Sequence, residues 1–232
     1  ERLAERVREQ WTLLGETEPH WSVLTNEAFR KTRLDDASLA EFYRSGANEA
    51  DLLEVFENRA GASAGRGTCV ELGCGLGRIT RFLADRFERV IAIDISPGNL
   101  ALCRAYMDEQ GIDNVETLQI SGVEDMATLP AHDLFFSIIV LQHNPPPIQK
   151  AILRSVLPQS GAALFQIPAT MPGYAFRAEA HLAEDVRVMD MHGLPRPIVL
   201  DEIRRAGLQI RDLCPDGFTG HPGSFTYFAT RT

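Results

Sequence analysis

The chain has 232 residues, of which 44% are hydrophobic, and its formal net charge is −9 from 32 acidic and 23 basic residues. This length and composition allow one substantial core, and the dispersed basic residues argue against nucleic acid as a partner. No apolar run is long enough to span a membrane and no signal-peptide pattern opens the chain, so we expect a cytoplasmic protein with no membrane association. The four cysteines include no C-x-x-C pair, which favours reduced thiols over a zinc site.

The first part of the chain is predicted to be a helical unit. Apolar residues recur there at helical spacing, at Leu3, Val7, Trp11 and Leu14. Gly15 is expected to end this first helix, and a second helix is expected to open at Asn48. The small residues of segment 61–67 are typical of a linker. We therefore predict a helical cap over 1–61 and a separate core over 62–232.

The rest of the chain alternates strand and helix patterns, which predicts an α/β fold with a doubly wound, mostly parallel sheet. The predicted strands are 68–73, 89–94, 115–120, 133–141, 162–167, 208–214 and 224–231. The predicted helices are 76–87, 97–110, 146–157 and 198–206. A turn-rich connection between the last two strands indicates an antiparallel hairpin. Segment 168–197 matches no regular layer and is predicted to be an insert or lid beside the site.

Two features of the core indicate a nucleotide site. The first is a G-x-G-x-G loop from Gly73 to Gly77, with the acid Glu71 two residues before it. A dinucleotide fingerprint has its third glycine one residue later. The second is Asp94, 21 residues after Gly73 at the end of an apolar strand, where a carboxylate can accept hydrogen bonds from ribose hydroxyls. The alternative is that Asp94 only caps the helix that opens at Ser96.

The glycine loop resembles the first motif of the class I S-adenosylmethionine-dependent methyltransferases. Further segments extend this resemblance to a bacterial group with an N-terminal helical cap: Trp21–Thr25, Phe42–Gly46 and Ile139–His143. The resemblance implies a Rossmann-like methyltransferase fold, in which a seven-stranded sheet has an antiparallel last strand. It also implies S-adenosyl-L-methionine as the cofactor and S-adenosyl-L-homocysteine as its product.

The resemblance implies a set of cofactor-binding residues: Tyr43, Gly46, Glu71, Gly73, Cys74, Gly75, Gly77, Arg78, Asp94, Ile95, Val123, Glu124 and Leu141. Val123 and Glu124 correspond to the loop that holds the adenine. The candidates for the methionine end are Tyr43, Ser45, Gly46 and Arg78, because its carboxylate needs hydrogen-bond donors. The alternatives are ordinary helix packing for Tyr43 and a solvated side chain for Arg78.

His143 follows the fourth predicted strand, at the sheet edge where ligands of parallel sheets bind, and is the candidate general base. We expect O-methylation of a small-molecule or glycan acceptor. Alternatives are N-methylation of a small amine, a catalytically silent partner protein, and a nicotinamide oxidoreductase. Residues of the insert are expected to select the substrate: Tyr174, Phe176, His181, Asp190 and His192. Their spacing includes no H-x-x-x-H pair, so no metal is expected. The oligomeric state stays open.

Overall fold

The structure is a computed structural model that describes residues 1–169, 171, 173–184, 189–220 and 222–231. In this part of the chain seven strands form one sheet in the order β3-β2-β1-β4-β5-β7-β6. The strands are β1 Thr68–Leu72, β2 Arg89–Asp94, β3 Val115–Gln119, β4 His132–Ser137, β5 Ser160–Pro168, β6 Gln209–Pro215 and β7 Ser224–Thr230. The predicted α/β class and the number of strands are confirmed.

Five strands, β1 to β5, are parallel, and β7 lies antiparallel between β5 and β6. The central strands are buried on both faces, which explains their nearly continuous apolar sequences. Phe135 and Phe136 are neighbours in β4 but belong to hydrophobic clusters on opposite faces of the sheet. The predicted terminal antiparallel hairpin is therefore confirmed, with β7 inserted inside the sheet edge.

Helices cover both faces of this sheet and precede it in the chain. They are α1 Arg2–Thr17, α2 Pro19–Val23, α3 Asp36–Ala60, α4 Thr80–Ala84, α5 Pro97–Glu109, α6 Pro146–Val156, α7 Ala178–Ala183 and α8 Arg196–Arg205. Short 3₁₀ turns occupy Glu27–Phe29, Val123–Thr128, Leu141–His143 and Leu157–Gln159. No helix of the described ranges is both long enough and apolar enough to cross a membrane.

The two predicted boundaries in the N-terminal region are wrong. Gly15 does not end α1, which continues to Thr17. A Cβ on Gly15 would lie 2.1 Å from the Ser96 hydroxyl, so this glycine lets α1 pack closely on the start of α5. The helix predicted from Asn48 begins at Asp36, because Asp35 and Ser38 form a reciprocal capping box there.

Two predicted elements of the core extend too far. The fourth strand ends at Ser137 rather than at residue 141, because Ile139 has a φ of 61° that turns the chain. The helix predicted over 76–87 is reduced to α4, because the glycines of the preceding loop have positive φ and cannot continue a right-handed helix.

The predicted insert, 168–197, contains the end of β5, the short helix α7 and the first turn of α8. Residues 170, 172 and 185–188 of this segment lie outside the described ranges. The described remainder packs back on the sheet edge through backbone hydrogen bonds, since the Leu194 amide donates to the Pro168 carbonyl and the His192 amide to the Gln142 carbonyl, both at 2.7–2.8 Å. The insert is thereby attached beside the carboxyl ends of β4 and β5.

Candidate active site

The glycine loop lies where β1 leaves the sheet. Gly73, Gly75 and Gly77 have φ values of 77°, 55° and 84°, a region that side chains disfavour. The loop is tied to β2, because the amides of Gly73 and Cys74 both donate to the Ile93 carbonyl, at 2.7 and 3.0 Å. A Cβ on Gly75 would lie 2.9 Å from Cγ2 of Val23. The loop therefore lies closely packed between the sheet and the N-terminal helices, where side chains on its glycines would not fit.

Asp94 supports this loop from the end of β2. Its Oδ2 accepts a hydrogen bond from the Gly75 amide at 2.9 Å, and its Oδ1 accepts one from the Ser96 amide at 2.8 Å. Burial raises the pKa of this carboxyl group. The Ile95 backbone and the Asn99 side chain also interact with this carboxylate, and all four contacts favour its charged form. The cap of α5 is Ser96, whose Oγ accepts from the Asn99 amide.

Glu71 lies behind the loop rather than along the cavity. Its buried carboxyl group accepts a hydrogen bond from the Thr80 hydroxyl at 2.6 Å, at the start of α4. Burial raises the pKa of Glu71 to about 7, partly opposed by the Thr80 hydrogen bond and the charge of Arg78. The contact joins β1 to α4 across the glycine loop.

A cavity opens beside the loop at the carboxyl ends of β1, β2 and β4. Its lining includes seven residues that the sequence analysis selected: Gly73, Cys74, Gly75, Arg78, Asp94, Ile95 and His143. Other lining residues come from the sheet edge, the N-terminal helices, the helices α5 and α6 and the turns beside them: Val7, Trp11, Ser22, Val23, Leu72, Ile79, Asn99, Ile120, Met126, Ile138, Ile139, Val140, Asn144 and Ile152. The cavity is thus mostly apolar, with a few polar groups converging on it, as small-molecule sites are.

Arg78 is buried rather than solvated. One guanidinium nitrogen, Nη1, contacts Glu49 at 2.9 Å and the Ser45 hydroxyl at 3.2 Å, both on α3. Its Nε is buried and has no hydrogen-bond partner among the described residues. A buried donor of this kind is costly unless it is paired. An anionic group in the cavity, such as the carboxylate of a methionine moiety, fits this unpaired donor.

The other predicted cofactor residues lie outside the cavity lining. Gly46 and Gly77 permit close packing. A Cβ on Gly46 would lie 1.9 Å from the Arg78 carbonyl oxygen, and a Cβ on Gly77 would lie 2.7 Å from Cε of Met107. Tyr43 stacks on Tyr106 with ring centroids 3.6 Å apart, which agrees with the packing alternative. Val123 and Glu124 lie in the 3₁₀ turn after β3, and Leu141 is buried in the hydrophobic core. The cofactor contacts of these residues stay predictions.

His143 lines the cavity just after β4, in the short 3₁₀ turn. Its Nδ1 lies 3.1 Å from the backbone carbonyl of Asp190, which can only accept a hydrogen bond, so Nδ1 carries the proton. Nε2 is then the basic nitrogen, and it accepts a hydrogen bond from the side-chain amide of Gln142 at 3.3 Å. Burial lowers the pKa of His143 to about 4. The Trp11 ring packs edge-on against the imidazole, with centroids 5.1 Å apart. His143 is therefore a neutral, oriented hydrogen-bond acceptor.

Trp11 and Ile139 line the cavity although neither was predicted to be a site residue. Trp11 follows Val7 by one helical turn, so the sequence shows that both lie on the apolar face of α1. It does not show that this face lines the cavity. The positive φ of Ile139 is supported by Gln166, whose Oε1 accepts from the Ile139 amide at 3.1 Å. Gln166 also donates to Gln142, next to His143. This buried amide network has no sequence signature, because β5 and the turn are distant in the chain.

Comparisons with known proteins agree with this geometry. Residues 69–158 match the family described as a methyltransferase domain. The chain is 30% identical over 172 residues to a ubiquinone biosynthesis O-methyltransferase of Acinetobacter baumannii (strain ACICU), with 69% of this chain and 71% of that protein aligned. It is 26% identical over 213 residues to the protein of the same name from Saccharophagus degradans, covering 83% and 89% of the two chains.

The fold also resembles the crystal structure of magnesium protoporphyrin IX methyltransferase from Synechocystis PCC 6803 with bound S-adenosylhomocysteine, at a TM-score of 0.67 and 14% identity. The alignment covers 97% of this chain and 98% of that one. The sheet order and the glycine loop thus define a Rossmann-like methyltransferase fold. The chain belongs to the class I S-adenosylmethionine-dependent methyltransferases. It is accordingly an enzyme whose methyl donor is S-adenosyl-L-methionine, and the resemblance stated from its sequence is confirmed.

Proposed function

We propose that this methyltransferase transfers its methyl group to a hydroxyl oxygen of a small molecule. The observation that carries the proposal is His143, which presents a neutral imidazole to the cavity with Nδ1 bonded to the Asp190 carbonyl. The names of the O-methyltransferase relatives support oxygen as the acceptor atom. The acidic composition supports a small molecule or a glycan over nucleic acid.

In this proposal the loop 73–77 and Asp94 hold the nucleoside, and Arg78 holds the methionine carboxylate. The unpartnered Nε of Arg78 and the place of Asp94 in the cavity lining, at the end of β2, support these roles. The bound cofactor supplies an electrophilic methyl group on a sulfonium. Val123 and Glu124 stay proposed for the adenine end, and the N-terminal helices are proposed as a cap, because Val7 and Trp11 line the cavity.

The chain's own contribution to catalysis is alignment, exclusion of water and acceptance of a proton. In this proposal the acceptor hydroxyl replaces the Gln142 amide as the hydrogen-bond donor to Nε2 of His143, and Nε2 takes its proton as the oxygen attacks. The lowered pKa makes this imidazole a weak base. An acidic hydroxyl, such as that of a phenol, therefore suits it better than an alkyl alcohol does. Trp11 and the apolar lining shield the reacting atoms from bulk water.

The test measures S-adenosylhomocysteine release with a panel of phenols, alkyl alcohols and matched amines. We expect turnover with a phenol, and His143→Ala is expected to lower kcat by roughly 10² to 10⁴. Affinity for S-adenosylhomocysteine, measured by calorimetry, is expected to stay nearly unchanged. Turnover of amines alone, or a His143→Ala enzyme that keeps its rate, contradicts oxygen transfer assisted by this histidine.

A further inference from the structure

The insert brings together three metal-ligating side chains that are separated in sequence. His181 lies on α7, and Asp190 and His192 lie between α7 and α8. One potential ligand atom from each residue lies within 4.8 Å of the other two. The Nδ1 atom of His181 is 4.0 Å from Oδ2 of Asp190, and the rings of His181 and His192 have centroids 5.1 Å apart. We propose that these three residues form a divalent transition-metal site, with Zn²⁺ as the best-matched ion.

The donor set supports this assignment. Two imidazoles and a carboxylate are typical ligands of zinc, and three protein ligands leave a fourth position for water or an acceptor oxygen. Bonds of about 2.1 Å in a tetrahedron separate ligand atoms by about 3.4 Å, so ligand atoms that lie within 4.8 Å of one another must approach by at most about 1.4 Å. The His181 and Asp190 side chains are 11% and 20% exposed and His192 is buried, which distinguishes this group from acidic clusters at the surface.

Neighbouring side chains orient the cluster as an outer coordination shell does. The Tyr174 hydroxyl lies 2.8 Å from Nδ1 of His192, which leaves Nε2 as the nitrogen available to a metal. The backbone of His192 is held at both ends, by the Gln142 carbonyl at 2.7 Å and by Nε2 of Gln149 at 3.1 Å. Phe176 packs against both imidazoles and limits access of water. The ligands are thus preorganised.

Electrostatics act in both directions at this cluster. The cluster lies close to the charged side chain of Arg6, which interacts with both imidazoles. The same Arg6 charge repels a cation, and it is opposed by Asp190. Arg6 is held nearby, since its Nη1 donates to the Glu184 carbonyl at 2.9 Å.

The site adjoins the cavity. The Asp190 carbonyl accepts the hydrogen bond of His143, and His143 lines the cavity. A metal bound to the carboxylate of Asp190 is therefore linked to the proposed site of methyl transfer through Asp190 and His143. An open coordination position there offers a second anchor for an acceptor oxygen. Metal binding itself does not depend on which acceptor the enzyme uses, so its test stands apart from that of the proposed function.

The test uses the tag-free full chain, freed of metal by a chelator and then titrated with Zn²⁺ by calorimetry and with Co²⁺ by absorption. We expect one ion per chain and a Co²⁺ spectrum of nitrogen and oxygen ligands without thiolate charge-transfer bands. His181→Ala and the nearly isosteric Asp190→Asn are expected to weaken Zn²⁺ binding by more than about 100-fold, and Tyr174→Phe by roughly 10- to 100-fold. His20→Gln is the matched control and should bind as the wild type does.

Stability supplies a second readout that does not depend on the buried His192. Zn²⁺ is expected to raise the Tm of the wild type and of His20→Gln, but not that of Asp190→Asn. Absence of one-to-one binding, or equal Zn²⁺ affinity in His181→Ala, Asp190→Asn and the wild type, overturns the proposal and leaves the cluster a packed aromatic group.

Discussion

At the scale of single residues, the candidate site depends on two buried carboxyl groups. Hydrogen bonds from neighbouring amide and hydroxyl groups offset the free-energy cost of burying them. Asp94 accepts hydrogen bonds from the Gly75 and Ser96 amides, and Glu71 accepts one from Thr80. Both groups therefore contribute to the shape of the glycine loop before any ligand is bound. Substitution at either position is expected to change stability as well as binding.

The Asp94→Ala variant is expected to bind S-adenosylhomocysteine more than tenfold more weakly, because the ribose loses a charged acceptor. It should also lose roughly 1 to 3 kcal/mol of unfolding free energy, since two buried amides lose their acceptor. Calorimetry and urea unfolding measure the two effects. The exposed Asp85→Asn is the control, and unchanged affinity in folded Asp94→Ala contradicts the ribose role.

The Glu71→Gln variant tests the raised pKa. Glu71 has a pKa of about 7 in the folded chain and an ordinary value of 4.5, so the folded state binds the extra proton between these pH values. The wild type therefore loses stability as the pH rises from about 4.5 through 7, and the neutral amide does not. Relative to the wild type, the variant should gain roughly 2 to 3 kcal/mol between pH 4.5 and 8. A difference that is independent of pH in urea unfolding would falsify the assignment.

At the scale of elements, the contact of α3 with the glycine loop decides where Arg78 lies. Gly46 is buried within α3, against the Arg78 backbone, and Ser45 and Glu49 on the same helix contact the guanidinium. A helix interior ordinarily prefers alanine to glycine by about 1 kcal/mol. The glycine here is therefore explained by packing rather than by helix propensity.

The Gly46→Ala variant is expected to be destabilised by roughly 1 to 3 kcal/mol, because its Cβ would lie 1.9 Å from the Arg78 carbonyl oxygen. Displacement of Arg78 should also weaken S-adenosylhomocysteine binding. Gly217→Ala is the matched control, since nothing lies within 4 Å of a Cβ there. Thermal unfolding and calorimetry measure both effects, and a stabilised Gly46→Ala protein would show that α3 does not press on this loop.

At the scale of the whole molecule, the N-terminal helices and the sheet share one cavity. Val7 and Trp11 of α1 face the sheet edge, and Val23, which follows in α2, lies against Gly75. A ligand in this cavity contacts both parts of the chain. Its binding free energy therefore adds to the stability of their association.

S-adenosylhomocysteine is expected to slow amide hydrogen exchange in α1 as well as in the glycine loop, because opening of the N-terminal helices then requires loss of ligand contacts. Exchange measured by mass spectrometry with and without the ligand tests this. The central strands β4 and β5 serve as internal controls, since they are buried in the sheet. Protection of the loop without protection of α1 contradicts the proposed role of the cap.

The sequence by itself determined the class of fold and indicated a nucleotide site, and its resemblance to the class I methyltransferases implied the cofactor. Gly73 to Gly77 and Asp94 lie in local patterns whose spacing follows from one strand, one turn and the next strand, so a linear reading captures them. The strand patterns are equally local, and they located all seven strands. Two boundaries failed where long-range contacts decided, since Gly15 packs on Ser96 and the Ile139 amide is bonded to Gln166. The start of α3 was missed although its capping box, Asp35 and Ser38, is a local signal.

Only the tertiary structure decided which side chains meet. Trp11 of α1 packs against His143, which is distant from it in the sequence. Folding of the insert brings His181 next to His192, although their spacing matches no helical pair. Burial, which lowers the pKa of His143 and raises that of Glu71, is likewise a property of the assembled core. Local spacing encodes contacts along one element, whereas contacts between distant elements depend on the packing of the whole chain.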